Sequence, residues 1–342
     1  MAKEKIHDEL IDAIEEATGI KLIKGNDPNL IIQRVPLDIP IFDNLIGGGF
    51  PKGRMILIAG EYSSCKTFLC QILIKKVLSD GGKVVYVDAE KTYDPEWFAK
   101  TGIDINQLYI ASPDTGEETI DVVVKLLEEG VDLIVIDSLA AMIPSFEQEE
   151  SAEKNTMALQ ARLINKAVRK FKTANKKNSI LVMINQLRDS IGGYGMGEFI
   201  PGGRGQEFYS SIVLKLRRGS KIEDKDAGKS KIVGYMVRCM QQKNKVGGLP
   251  FQSVEIPFSF DGYIDTIAGL VTLAEEYKII VRGGPYYSLF GEKYRGMNGL
   301  KLALQNNPVL MEKLKEMVSN GNFIESSSED IPEISTTGVS SS

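Results

Sequence analysis

The sequence predicts an α/β protein with a doubly wound, mostly parallel sheet, an N-terminal helix-strand arm and a small C-terminal α/β domain. Three observations predict it. Short, nearly continuous apolar runs recur along the first two-thirds of the chain, as strands covered on both faces require. Stretches of helical character lie between several of them, which is the pattern of helices on both faces of a parallel sheet. One run, Met55-Ile56-Leu57-Ile58-Ala59, leads directly into Gly60-Glu61-Tyr62-Ser63-Ser64-Cys65-Lys66-Thr67, a tight turn that opens a helix.

In chain order, residues 3–17 read as a short amphipathic helix, because Ile6, Leu10, Ala13, Ile14 and Ala17 recur at three-to-four spacing. A linker from Gly19 to Pro28 leads to the apolar run Leu30-Ile31-Ile32, read as a strand ending before Pro36. A helix and a strand outside the core bury little alone. They pack either on their own domain or on a neighbouring subunit, and composition does not decide between the two. Strands are expected at 55–59, Val84–Asp88, Leu108–Ile110, Leu133–Asp137, Ile180–Asn185 and Ile212–Leu216, and helices at 67–79, 94–100, 117–129 and 156–173. Residues 232–240 and 251–260 read as further strands, with antiparallel pairing open to them. Residues 266–324 carry helices and the turn Gly283-Gly284-Pro285-Tyr286-Tyr287, and are expected to form the small C-terminal domain. Residues 325–342 are rich in Ser, Thr and acids and lack Lys and Arg, a composition expected to stay disordered. The expected divisions are therefore 1–35, 36–265, 266–324 and 325–342.

The 342 residues carry a formal net charge of −5, so bulk charge gives no sign of nucleic-acid binding. Glu325, Glu329, Asp330 and Glu333 sit in the tail; the remainder is close to neutral, and any nucleic-acid surface must be a local patch. No uninterrupted apolar stretch is long enough to cross a bilayer, and the first residues lack the apolar core of a signal peptide. Cys65, Cys70 and Cys239 show neither paired nor zinc-type spacing, which suits a reducing cytosol.

The 60–67 turn is built to cradle a triphosphate. Backbone N–H groups and a helix N-terminus face the phosphates, Lys66 reaches the β/γ-phosphates and Thr67 supplies a hydroxyl to Mg²⁺. The pattern G-x-x-x-x-G-K-[ST] wants glycine at position 65, where this chain has Cys65. Ligands in doubly wound sheets lie beyond the carboxyl ends of the strands, and three expected strands end there in polar groups: Asp88-Ala89-Glu90, Asp137-Ser138 and Asn185-Gln186. Asp137 has the form of the acid that supports Mg²⁺, although an acid there also serves as a helix N-cap. Glu90 is the candidate general base, against a solvated loop residue. The Gln186 amide is placed to sense a γ-phosphate, against a strand cap. Asp94, Trp97 and Phe260 are candidates to line the base, since a flat indole stacks on adenine; a core-packing Trp97 is the alternative.

Leu187 to Gly205 holds seven glycines and starts at the candidate sensor, so its order is expected to follow nucleotide state. A second loop runs from Ser145 to Asn155. On helix 156–173, Arg162, Asn165, Lys166 and Arg169 share one face, while Ala161, Ile164, Val168 and Phe171 point to the core. A basic face beside two such loops fits backbone phosphates; a merely solvated face is the alternative.

Taken together these residues resemble the bacterial RecA recombinase family, including its phage members, over roughly residues 36–320. The likeness is carried by Val87-Asp88-Ala89-Glu90 with Asp94-Pro95, Ser112-Pro113-Asp114-Thr115-Gly116-Glu117, Val135-Ile136-Asp137-Ser138-Leu139-Ala140-Ala141, Ile184-Asn185-Gln186-Leu187-Arg188, Gly202-Gly203, Phe208-Tyr209 and Lys243-Asn244-Lys245. The resemblance implies a RecA-type P-loop ATPase core that uses ATP and Mg²⁺. It implies filaments on single-stranded DNA, pairing with double-stranded DNA, and homologous strand exchange in recombination and repair. By position it implies that Lys66, Glu90, Gln186, Lys243 and Lys245 are catalytic, the two lysines reaching ATP across a subunit interface. Gly60, Glu61, Tyr62, Ser63, Ser64, Cys65, Lys66, Thr67, Asp94, Trp97, Asp137 and Phe260 would hold the nucleotide, with Thr67 and Asp137 at the metal. Arg162, Asn165, Arg169, Arg188, Gly202, Gly203 and Arg204 would meet DNA. The 3–35 segment becomes a polymerisation arm, Phe208 an interface residue, single-strand-binding or loader proteins the candidate partners, and the cytoplasm of a bacterium or phage host the location.

The chain departs from the family pattern at Cys65, at Trp97 where Tyr is common, at Pro201 where Thr is usual, and in a thinner acidic tail. These differences suggest a divergent or phage-encoded member. Because Cys65 lies beside Lys66 and a helix N-terminus, which lower a thiol pKa, ATPase activity is expected to be sensitive to thiol alkylation. Two other readings compete: a regulatory ATPase of the same fold without strand exchange, and a DNA-coating filament whose hydrolysis has decayed. The 187–205 loop and Lys243-Asn244-Lys245 argue against the first; Glu90, Asp137 and Gln186 argue against the second.

Overall fold

Every residue of Met55–Gly60, Val84–Asp88 and Leu133–Asp137 is buried, as strands with cover on both faces demand. The computed structural model describes residues 2–145, 156–189, 198–226, 229–248, 250–262 and 264–321. The Ser145–Asn155 loop beyond its first residue, the 190–197 part of the glycine-rich segment and the 325–342 tail lie outside the described residues.

In chain order the elements are α1 (Ala2–Thr18), β1 (Arg34–Val35), α2 (Pro40–Leu45), β2 (Phe50–Pro51), β3 (Met55–Gly60), α3 (Lys66–Ser79), β4 (Val84–Asp88), α4 (Pro95–Lys100), β5 (Leu108–Ala111), α5 (Gly116–Glu129) and β6 (Leu133–Asp137). Then follow α6 (Thr156–Ala174), β7 (Ile180–Gln186), β8 (Arg188–Asp189), β9 (Glu198–Phe199), α7 (Gly205–Tyr209), β10 (Ile212–Asp226), β11 (Lys229–Asn244) and β12 (Ser253–Ser259). The chain closes with α8 (Thr266–Glu276), β13 (Val281–Gly283), β14 (Tyr286–Leu289), β15 (Glu292–Arg295), α9 (Gly296–Asn306) and α10 (Pro308–Gly321).

Among the described residues the main sheet has eight strands in the order β12-β11-β10-β3-β7-β6-β4-β5. From β10 to β5 all pairings are parallel; β11 pairs antiparallel with β10, and β12 antiparallel with β11, so that β12 again runs with the parallel strands. Strand alternation splits the apolar residues between two cores. Ile56 and Ile58 face α3, with Phe68, Leu73 and Ile74, in one cluster. Leu57 and Ala59 face α5 and α6, with Val123, Ile164, Val168 and Phe171, in the other. A third cluster, including Leu270, Val271, Leu289, Leu300, Leu304 and Leu314, gathers α8, α9 and α10 over the β13-β14-β15 sheet.

The arm departs from expectation. Leu30-Ile31-Ile32 forms no strand in this chain. Pro28 and the Asp27 carboxylate, which accepts from the Asn29 N–H at 2.8 Å, set up a 3₁₀ turn over Pro28–Leu30 instead. The strand appears later, at Arg34–Val35, paired with Phe50–Pro51. Helix α1 forms as expected, but Leu10, Ile20, Ile23, Leu30 and Ile31 stand exposed, Ile31 at 71%.

Candidate nucleotide site and nucleic-acid face

Gly60 ends β3 where nothing larger fits. A β-carbon there would meet the Ser64 hydroxyl oxygen at 2.4 Å and the Leu216 carbonyl oxygen at 2.6 Å. The chain then turns tightly enough that Ser63 (φ 54) and Cys65 (φ 64) both take the left-handed conformation. That region costs a side-chain-bearing residue roughly 1–2 kcal/mol. Ser64 is buried, and its hydroxyl donates to the Glu61 carbonyl at 2.8 Å. Helix α3 starts at Lys66 without a side-chain cap, so its first N–H groups are directed at the loop's mouth. Lys66 Nζ donates to the carbonyls of Glu61 (2.6 Å) and Gly60 (3.1 Å), and burial lowers its pKa against the pull of Asp137 and Glu90.

Asp137 ends β6 level with Asp88 at the end of β4. It caps no helix: its Oδ2 accepts from Thr67 Oγ1 at 2.7 Å and from the buried Tyr86 hydroxyl at 2.7 Å. Burial raises its pKa, and these two donors oppose the rise. The Ala89 and Glu90 N–H groups both donate to the Asp137 carbonyl, and the Ser138 hydroxyl donates to Glu90 Oε1. Glu90 is therefore held beside Asp137. Asp88 works on the backbone instead. Its carboxylate accepts from Thr92 and Tyr93 N–H and shapes the loop that follows. Gln186 pairs with Gly60 in the β3–β7 register and is exposed, at the level where the 60–67 loop begins.

A cavity of about 400 Å³ opens over this loop, lined by Ser63 to Phe68 and by Trp97, Tyr235, Phe258 and Phe260. That volume lies in the range of small-molecule sites. Trp97 is half-buried: it packs against the core from one side and lines the cavity with the rest of its ring. Asp94 does not line the cavity; it caps α4 through the Glu96 and Trp97 N–H groups, and so orients the indole. Tyr62 points outward, 80% exposed, under the Arg218 guanidinium. Glu61 contributes its carbonyl to Lys66.

The expectation of an acidified Cys65 thiol is overturned. Burial pushes it up to about 11; the Tyr235 hydrogen bond and Lys66 only moderate the rise. Desolvation outweighs the nearby ammonium because the thiolate would lose its water.

The candidate nucleic-acid residues lie along α6 and the segment after β7. Ile164, Val168 and Phe171 are fully buried, leaving Arg162, Lys166 and Arg169 exposed on the other side. Asn165 is half-buried under the turn before α7, where Gly202 takes a positive φ of 91 that favours glycine. Gly203 lies against Asn165, Arg204 is exposed at the start of α7, and Arg188 is exposed in the short β8–β9 ladder. The basic side of α6 continues into a groove of about 640 Å³ against α5, lined by Lys166, Arg169, Lys170, Lys176 and Lys177. Lys243 Nζ donates to the carbonyls of Glu207 (2.5 Å) and Phe208 (2.9 Å), and Lys245 lies 5.5 Å over the exposed Phe208 ring.

Sequence reasoning missed Tyr86 and Tyr235, and singled out Ser138 only as a polar strand end, without its bond to Glu90. Tyr86 left a usable sign: a tyrosine inside a fully apolar strand needs a partner for its hydroxyl. Tyr235 left none, because its partners lie about 170 residues away in the chain.

A parallel sheet whose carboxyl edge opens onto such a loop is the architecture of the P-loop ATPases. A family model described as the RecA N-terminal domain matches residues 6–265. The chain is 36% identical over 312 residues to Protein RecA of Mesomycoplasma hyopneumoniae (strain 7448), covering 87% of this chain and 91% of that one. It is 35% identical to Protein RecA of Chlorobium chlorochromatii (strain CaD3), at 90% and 88% coverage, and 34% identical to that of Staphylococcus aureus (strain JH9), at 96% and 97%. The chain belongs to the RecA family. It is an ATP-dependent recombinase of homologous recombination and repair, a DNA-dependent ATPase that binds DNA and forms filaments. No described helix is long and apolar enough to cross a membrane.

Proposed function

We propose that ATP hydrolysis takes place over the 60–67 loop and that the residues around it divide the work as follows. The loop's N–H groups and the α3 N-terminus hold the phosphates, and Lys66 leaves its two carbonyl partners for the β/γ-phosphate oxygens. Trp97 and Phe260 flank the base, with Asp94 fixing the angle of the indole. Glu90 accepts a proton from the water that attacks the γ-phosphorus, and ADP departs with its β-oxygen. Gln186 bonds the γ-phosphate and loses that partner on hydrolysis. The observation that carries this reading is the 2.7 Å contact between Thr67 Oγ1 and Asp137 Oδ2, with Lys66 and Glu90 beside it.

The same two oxygen-bearing side chains suit Mg²⁺, a hard cation that takes few protein ligands and completes its shell from substrate phosphates and water. No group of three or more His, Cys, Asp or Glu side chains placed to hold a metal occurs among the described residues, which fits a metal arriving with the nucleotide. Thr67 would ligate it and Asp137 would orient its water. When bound, it neutralises charge developing on the phosphates.

Arg162, Asn165, Arg169, Arg188, Arg204 and the Gly202-Gly203 turn contact the DNA backbone in this reading. Lys243 and Lys245 complete the ATP site of the next subunit, and Phe208 packs at that interface. The exposed apolar residues of 1–35 dock on a neighbour, residues 36–265 form the ATPase core, 266–324 a C-terminal domain and 325–342 a tail. Single-strand-binding or loader proteins are the proposed partners, and the cytoplasm of a bacterium or phage host the proposed location.

The test is ATP turnover with and without single-stranded DNA in wild type, Lys66→Ala and Glu90→Gln. DNA-stimulated turnover in wild type alone is expected. Turnover that survives in Lys66→Ala removes the loop from the mechanism.

A further inference from the structure

We infer that Tyr235 is a positioning residue for the phosphate loop, and that its hydroxyl supports at position 65 a backbone shape that glycine would adopt unaided. The inference rests on reading residues 60–67 as the triphosphate cradle. Ser63 and Cys65 both hold left-handed φ values, 54 and 64, and such residues persist only where their surroundings over-determine them. One atom touches both. The Tyr235 hydroxyl donates to the Ser63 carbonyl at 2.6 Å, and its oxygen lies 3.3 Å from Cys65 Sγ. With the hydroxyl proton committed to Ser63, the thiol is left to donate to the tyrosine oxygen, and both groups are satisfied.

The hydroxyl comes from a fixed wall. The Tyr235 ring packs on Phe258 (5.4 Å between centroids) and Phe260 (5.9 Å), with the Arg218 guanidinium 5.9 Å away over its ring. Phe260 also lines the cavity, so one aromatic row joins the loop to the surface proposed for the base. Tyr235 touches no proposed reacting atom; it acts through the loop. A glycine at 65 would have no sulfur to offer and no need of the tether.

The test measures affinity for a fluorescent ATP analogue, and KM and kcat for ATP, in wild type, Tyr235→Phe, Cys65→Gly and the double variant. Tyr235→Phe keeps the ring and is expected to weaken binding three- to tenfold, about the effect of one lost hydrogen bond. KM should rise while kcat stays within twofold, the mark of lost uniform binding. In the Cys65→Gly background the same change should shift affinity less than twofold. Equal losses in both backgrounds, or no loss in the Cys65 background, overturn the inference. If Tyr235→Phe melts below the assay temperature, Cys65→Ala carries the test: it removes the sulfur but keeps the β-carbon, and an unchanged affinity overturns the inference. Lys66→Ala separates the two levels. If it binds the analogue as wild type does, the cradle reading falls and this inference with it. If it loses binding while Tyr235→Phe does not, this inference alone falls.

Discussion

The carboxyl edge of the sheet and the side of the molecule proposed to meet a neighbouring subunit are built in opposite ways. At the edge, each charged group is already held by its own chain: Asp137 by Thr67 and Tyr86, Glu90 by Ser138, Lys66 by two carbonyls. Across the second side, Leu30, Ile31 and Phe208 stand exposed, and Lys243 and Lys245 rest on α7 of their own chain. The contrast teaches a division of labour. The edge is preorganised by folding, whereas the other surface leaves apolar groups uncovered, which suits a protein that forms filaments.

The largest effect should come at the preorganised side. Glu90→Gln is expected to slow turnover about 10²–10⁴-fold while nucleotide binding persists, the range for a lost general base; a loss of binding instead would recast Glu90 as a positioning group. Next comes thiol chemistry. With Cys65 pushed up to about 11 from an ordinary 9.0, its thiolate fraction at pH 8 is about 100-fold smaller. Alkylation at pH 8 should be slower by that factor and speed up about tenfold per pH unit up to pH 10. Cys70 and Cys239 are raised by burial as well, so mass spectrometry should find little label anywhere. Fast labelling at pH 7 would mean an open, not a closed, loop. Tyr86→Phe strips a donor from a buried acid, which costs about 1.5–3 kcal/mol. Calorimetry should show a melting temperature lower by roughly 4–8 °C, and an unchanged melt would show that Asp137 needs only Thr67. The smallest effect belongs to the other side. Ile31→Glu should weaken self-assembly about tenfold, the worth of burying one aliphatic side chain, without altering nucleotide affinity. Sedimentation velocity reads the first part and analogue fluorescence the second; a change in both would erase the distinction between the two sides.

Much of this was legible in the sequence because it is local. Strand 133–137 matches β6 residue for residue, 84–88 matches β4, and 156–173 falls one residue short of α6, since apolar runs and helical periodicity need no knowledge of the rest of the chain. The strand-end polar groups were legible for the same reason. Leu30-Ile31-Ile32 misled because an apolar triplet becomes a strand only with a partner, and the nearby Asp27-Pro28 sets up a turn first. Cys65 misled because proximity to Lys66 is visible along the chain while desolvation is not; the residue that closes over it comes from β11. Tyr235 lay beyond reach in the same way, and so did the partners of Tyr86 and Ser138, since each acts on a residue from another strand or loop.

The last two residues of β7 point to opposite sides. Asn185 is fully buried and its amide donates to the Pro201 carbonyl and to Gln206 Oε1, whereas Gln186 is exposed beside Gly60. Strand alternation has a period of two, so losing or gaining a single residue between Ile180 and Ile184 would exchange them. The glycine turn would lose its anchor and the amide beside Gly60 its exposure in one stroke. This short stretch can tolerate changes of letter, but its reading frame in space is fixed: evolution may respell it and never lengthen it.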